Sequence, residues 1–231
     1  MFGDFDFGEI ARSLRYLFAT GMAFTLQITA LAFVGGMALG TILAMMRLSK
    51  LRAVAFVAGG YVNVMRSVPL VLTIFWFYFL APSFVAWLLG SSDPIQINAF
   101  GTSVVAFIIF EAAYFGEIVR TGIQSISQNQ VNASLALGMS EAKTMRWVVL
   151  PQAIRVMVPV LLTQTVILFQ DVSLVYVLSI TDFVGAASKI AQRDNRLPEM
   201  YLFVAVVYFA ICYGLSVLVR YLRRRQQLAA T

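Results

Sequence analysis

The chain has 231 residues, 60% of them apolar and 12% charged, with a mean hydropathy of +0.83 and a formal net charge of +6. Apolar runs of about 20 residues, the length a ~30 Å hydrocarbon layer requires, place it among polytopic membrane proteins and leave no stretch for a separate soluble domain. The basic residues lie beside apolar segments, which suits the positive-inside tendency rather than nucleic acid, and the absence of histidine with a single cysteine, Cys212, excludes His-based or thiol metal sites, an internal disulfide and every Ser-His or Cys-His catalytic pairing.

Asp4, Asp6 and Glu9 precede any base, so the basic leader of a cleavable signal is missing and the first span is expected to serve as its own insertion signal. That span runs from about 19 to 46, and Arg47, Lys50 and Arg52 follow it directly, which puts the amino terminus outside. Gly36 and Gly40 sit four apart on one helical face and allow close approach of a neighbour.

The second span, about 54–80, carries YVNVMRSVPLVL and stops at the Ala81-Pro82 break, before the polar loop Ser91-Ser92-Asp93-Pro94. Arg66 falls near the bilayer midplane, where a charge costs at least ~2.5 kcal/mol, so it cannot point at lipid. It is either a structural ion-pair partner or a lining residue of a polar route. Pro69, three residues on, removes a helix hydrogen bond and kinks or interrupts the span.

The third span, about 98–120, contains FEAAYFGEIVRTGIQSI. It runs inward where the second runs outward, so Glu111 reaches the depth of Arg66, and the two are a candidate intramembrane pair. Glu117 and Arg120, at i and i+3, are spaced for a local structural bridge.

Residues 128–151, QNQVNASLALGMSEAKTMRWVVLP, form the one long polar interval on the basic side. Ala133 begins a short helix that Gly138 ends in a left-handed turn, and Ser140 caps a second with Glu141 in its first turn. Pro151 fits the first turn of the helix that follows. The pattern is a compact knob between two spans.

The fourth span, about 152–178, holds Pro159, Gln164, Gln170 and Asp171, and polar side chains this dense face other protein or a water-filled route. Asp171 either caps the turn at Ser173, fixes a broken helix, or meets substrate. Residues 181–198, with Lys189, Arg193, Asp194 and Arg196, are too polar to span and read as a short external or interfacial helix. The fifth span, about 199–219, ends at the basic run Arg220 to Arg225, a headgroup anchor. An all-α chain of five spans then has its amino terminus outside and its carboxyl terminus inside, and about eleven of the 17 Lys and Arg lie on the inner side.

Gly138 stands ten residues before Val148-x-Leu150-Pro151. In this the loop resembles the EAA loop of membrane-spanning subunits of ATP-binding-cassette importers, whose Glu-Ala-Ala falls here on Asn132, Ala133 and Ser134. The literal Glu111-Ala112-Ala113 lies inside an apolar span, with no Leu-Pro at the required distance. With YVNVMRSVPLVL, FEAAYFGEIVRTGIQSIS, LPQAIRVMVP and LFQDVSLVYVLSITDF, most of the chain resembles the polar amino acid branch of these permeases, in particular glutamate/aspartate permease subunits. The resemblance implies one type I importer permease domain over residues 1–231, with a periplasmic amino terminus and a cytoplasmic carboxyl terminus, in a bacterial inner membrane. It also implies a second permease subunit, either a copy or a related chain, a cytoplasmic ATPase dimer that binds ATP and Mg, and a periplasmic substrate-binding protein.

No GxxxxGK[ST] occurs, so the chain is not expected to hydrolyse ATP itself; closure of the ATPase would push the 128–151 knob. Arg66 would attract a substrate carboxylate, with Glu111 holding it or answering the amino group, and Gln170 and Asp171 are further pathway candidates. The alternative is an ion- or proton-coupled secondary amino acid carrier using Glu111, Glu117 and Asp171. Such carriers usually show paired halves, and no internal repeat is detected here.

Overall fold

The computed structural model describes residues 7–91 and 98–228, excepting the side chains of Phe7 and of residues 225–228. Asp4, Asp6 and the 92–94 part of the polar loop lie outside the described residues. Every described element is helical, and five stretches are long and apolar enough to cross a membrane: Gly8–Arg47, Leu70–Leu88, Ala99–Gln124, Glu141–Leu178 and Leu197–Arg224.

The first stretch begins well before residue 19. Helix α1 (Phe7–Tyr16) passes through a π-helical turn, Leu17–Met22, into α2 (Ala23–Arg47). Its charges hid it: Ser13 and Leu17 are buried on one face, while Arg12 and Arg15 are exposed on the other.

The second span is not one helix. Helix α3 (Arg52–Ser67) ends at Val68, which is extended (ψ 134°) as the residue before a proline tends to be, and α4 (Leu70–Phe75) starts after Pro69. The expected stop at Ala81-Pro82 is absent. A π turn, Trp76–Leu80, leads directly into α5 (Ala81–Leu88). Widening the helix just ahead of a proline relieves the clash between its ring and the preceding turn, so the axis continues.

Pro151 is accommodated in the same way. After α6 (Ala99–Gln124) and α7 (Gln128–Ala136), the short α8 (Glu141–Thr144) runs through a π turn, Met145–Val149, into α9 (Leu150–Asp171). The fourth span therefore starts at Glu141, not at Gln152. A 3-10 segment, Val172–Leu178, continues α9 and stops at Ser179, whose φ of 59° is left-handed; Asp171 makes no capping bond there.

The chain packs as two compact units. One comprises the described residues of Met1–Phe33, Pro69–Phe107 and Val166–Ser216; the other those of Val34–Val68, Ile108–Thr165 and Val217–Thr231. In the first unit, α10 (Phe183–Asp194) packs one face into the core and leaves Lys189, Gln192 and Arg193 exposed on the other. Asp182 caps it, accepting from Gly185 N at 2.8 Å and Val184 N at 3.1 Å. Phe183, Ala186, Ala187 and Ala191 are fully buried with Leu17 and Met200. Gly21 makes room, since a Cβ there would lie 2.8 Å from the Ala186 Cβ. Thr25 Oγ1 accepts from Phe183 N at 3.1 Å and locks the contact. Helix α11 (Leu197–Leu228) follows and continues as helix through the basic run.

In the second unit, the small-residue face of α2 does what its spacing predicts. A Cβ on Gly40 would meet Gly116 N at 2.8 Å and Ala112 O at 2.9 Å, and one on Gly36 would meet the Glu111 Cβ at 3.1 Å. Gly40→Val must move backbone, and is expected to cost about 3 kcal/mol or more. Gly60→Ala, which meets nothing within 4 Å, should be silent. Thermal unfolding of the detergent-solubilised variants checks both.

Candidate functional site

The polar loop is built by its caps. Ser127 Oγ accepts from Asn129 N at 3.3 Å, so α7 starts at Gln128, five residues ahead of the Ala133 start read from the sequence. It closes at Gly138, whose φ of +83° suits glycine and whose N–H donates to Leu135 O at 2.9 Å. Ser140 Oγ accepts from Lys143 N at 3.4 Å and caps α8 as expected.

Two side chains hold the two helices together. The buried Ser134 hydroxyl bonds Val131 O at 2.8 Å and the Thr144 hydroxyl at 3.0 Å. Gln152 Nε2 donates to Val148 O at 2.8 Å, beside the donor missing at Pro151, and also to Gln130 Oε1. Asn132 is exposed and accepts a local bond from Gln128 Nε2, at 3.2 Å. Ala133 and Pro151 are exposed, Val148 and Leu150 half-buried. Leu137, next to the turn, is 84% exposed. An open groove of about 650 Å³, lined by Ile126, Val131, Leu135, Met145 and Val149 among others, runs beside the loop.

Among the intramembrane polar residues, Arg66 and Glu111 do not form the expected pair. Glu111 is fully buried and its carboxylate accepts from Gln164 Nε2 on α9 at 3.1 Å. Arg66 lies in the last turn of α3, past the buried Ala58 and Val62, where the helix has stopped for Pro69. It is exposed, with its guanidinium 5.4 Å from the centre of the Tyr114 ring. Tyr61 anchors α3 by donating to Ile109 O at 2.6 Å. Gln164 was legible only as one polar residue among several; nothing in the sequence paired it with Glu111.

Glu117 and Arg120 pair as their spacing predicts, with Arg120 Nε donating at 3.1 Å. Arg47, read from the sequence only as a flanking charge, joins the same carboxylate from the end of α2. Arg120 also bonds Gln124. Gln170 is exposed and Asp171 half-buried, both in the first unit.

Residues 36–228 match the family model for the binding-protein-dependent transport system inner membrane component. The glutamate/aspartate import permease protein GltK of Escherichia coli is 51% identical over 96% of this chain and 98% of its own length. The L-cystine transport system permease protein TcyB of Bacillus subtilis is 31% identical over 94% of this chain and 89% of its own. A crystal structure of an amino acid ABC transporter with histidines superposes with a TM-score of 0.84 at 31% identity, covering 95% of this chain and 98% of that one. The inward-facing MetNI methionine ABC transporter shares the fold, with a TM-score of 0.64 at 18% identity over 90% of this chain and 96% of its own.

The Glu111–Gln164 contact has a clear energetic signature. Gln164→Leu strips a donor from a buried carboxylate and should cost about 1–3 kcal/mol, whereas adding Glu111→Leu should recover part of the loss because the carboxylate that lost the donor is itself gone. Chemical denaturation of the two single variants and the double variant reads the coupling.

Proposed function

Because the chain belongs to the binding-protein-dependent transport system inner membrane component family, the membrane-spanning subunits of ABC importers, we propose that it carries glutamate and aspartate across a bacterial inner membrane, driven by an ATPase docked on residues 128–151. It is a permease and not an enzyme; ATP is hydrolysed on a separate chain. Family membership favours this reading over an ion- or proton-coupled carrier. The choice of acidic substrates rests on the 51% identity to a glutamate/aspartate permease.

The observation that carries the mechanism is the loop: two capped helices meeting at a left-handed Gly138, with the second continuous into α9. A push from a cytoplasmic ATPase dimer, which binds ATP and Mg, enters α7 and α8 and passes into α9 through continuous helix. Gln164, on the same helix, holds Glu111, so motion of α9 reaches the buried carboxylate directly. Exposed Leu137 is the apolar tip that seats in the ATPase.

Arg66 recognises the substrate carboxylate. The Tyr114 ring takes one face of the guanidinium and leaves its N–H edge for a bidentate contact. Glu111, fully buried and bonded to Gln164, is a structural group of the same unit. Glu117, Arg120 and Arg47 are structural. A second permease subunit, a copy or a relative, completes the core, a periplasmic binding protein delivers substrate, the amino terminus is periplasmic and the carboxyl terminus cytoplasmic.

Gly138→Val tests this. A β-branched residue is strained at φ +83°, while no neighbour within 4 Å would otherwise exclude it. ATP-driven uptake of labelled glutamate by the reconstituted importer should fall at least about tenfold with membrane insertion intact, the loss of a contact worth roughly 1.4 kcal/mol or more. Full uptake would retire the docking loop, and competition by cystine or glutamine in preference to glutamate and aspartate would retire the acidic substrate.

A further inference from the structure

Among the described residues of α1, α10 and the start of α11, charge is sorted by sign, with cations outward and carboxylates inward. On α1, Arg15 is exposed and the Arg12 side chain is 79% exposed. On α10, whose other face is in the core, Lys189, Gln192 and Arg193 are exposed, the last with 67% of its side chain accessible. Their counter-charges are withdrawn: the side chains of Glu9, Asp194 and Glu199 are 17%, 26% and 7% exposed. Glu9 ties the helices together, lying 3.6 Å from Arg12 and 3.4 Å from Arg193. Arg193 also holds Asp194 at 2.7 Å, and Arg196 holds Glu199 at 3.1 Å.

The far end of this face is a fixed elbow. Asn195 is left-handed at φ 55°, Arg196 N donates to Ala191 O at 3.0 Å, and Met200 N to Arg196 O at 3.2 Å. Leu197 and Pro198 are left exposed among the cations. Under the proposed topology this basic surface is periplasmic, the side on which the positive-inside tendency disfavours Lys and Arg, so insertion does not account for it. Basic groups held on a rigid framework around an apolar tip are suited to steering and registering a charged protein that arrives by diffusion.

We infer that the Arg12–Lys189–Arg193 face, with Leu197 at its edge, receives an acidic surface of the periplasmic substrate-binding protein. The inference rests on the importer reading and its topology. The complete importer, with its ATPase and partner permease, is reconstituted in vesicles free of anionic lipid, and ATP hydrolysis is followed against the concentration of its purified binding protein. Arg12→Gln/Lys189→Gln leaves the Glu9–Arg193 and Arg193–Asp194 contacts in place, and Arg12→Glu/Lys189→Glu extends the series.

The half-saturating concentration should rise about threefold for the neutral variant and about tenfold for the reversed one, as expected for rim charges that set the encounter rate. Its dependence on salt should weaken, and basal and saturated rates should stay as in wild type. Unshifted half-saturation in variants whose parent is stimulated overturns this face as the docking site and leaves the importer reading intact. A shift that appears only when phosphatidylglycerol is added assigns the face to lipid, and loss of the partner permease from the purified complex assigns it to the permease core; either overturns the proposal. A wild-type importer that the binding protein does not stimulate overturns the importer reading itself.

Discussion

Helix α2 meets α6 with no side chain between them at Gly40 and Gly116, and the polar features of the second unit are placed by that contact. One turn before it, Gly36 lies against the Cβ of Glu111, which fixes the helix segment bearing the buried carboxylate. Two turns after it, Arg47 reaches Glu117, the residue that follows Gly116. Close backbone approach through small residues is a main source of cohesion where the solvent is as apolar as the side chains. Glu117, shared by Arg47 and Arg120, adds a lock whose value lies in fixing register more than in net stability.

The polar loop owes its form to continuity with its neighbour. A four-residue helix such as α8 is far too short to persist alone, because nucleation is unfavourable and few hydrogen bonds follow. Joined to α9 through the π turn at Met145–Val149, it becomes the first turn of a long helix. The Ser134–Thr144 and Gln130–Gln152 bonds then fix α7 to it. The Leu150-Pro151 step, instead of breaking the chain, lies in continuous helix from the loop into α9.

Much of this was written in the sequence, and the exceptions share causes. Gly36, Gly40, Gly138 and Ser140 were legible because each serves a local requirement: close approach, positive φ or a cap. Glu117–Arg120 was legible from spacing, but Arg47 was not, since its partner is distant in sequence. Pro82 read as a stop, and Pro151 as the entry of a separate helix, because the π turns that join each to the helix before it leave no mark in residue type. Helix α10 read as external or interfacial from its charged residues Lys189, Arg193 and Asp194; the small residues that pack Phe183, Ala186 and Ala187 into the core carried no comparable signal. The Arg66–Glu111 pairing was argued from equal depth, which does not say which way each side chain turns: Arg66 sits over Tyr114 and Glu111 takes Gln164.

Vesicles holding the assembled importer, with binding protein and labelled glutamate on one side and ATP on the other, ask most directly whether work enters this chain from outside it. Uptake should require ATP hydrolysis and stop with a non-hydrolysable analogue, even under an imposed proton or sodium gradient. Accumulation of glutamate by the purified chain alone, driven by such a gradient with no ATPase present, would contradict a permease that is moved through its cytoplasmic loop.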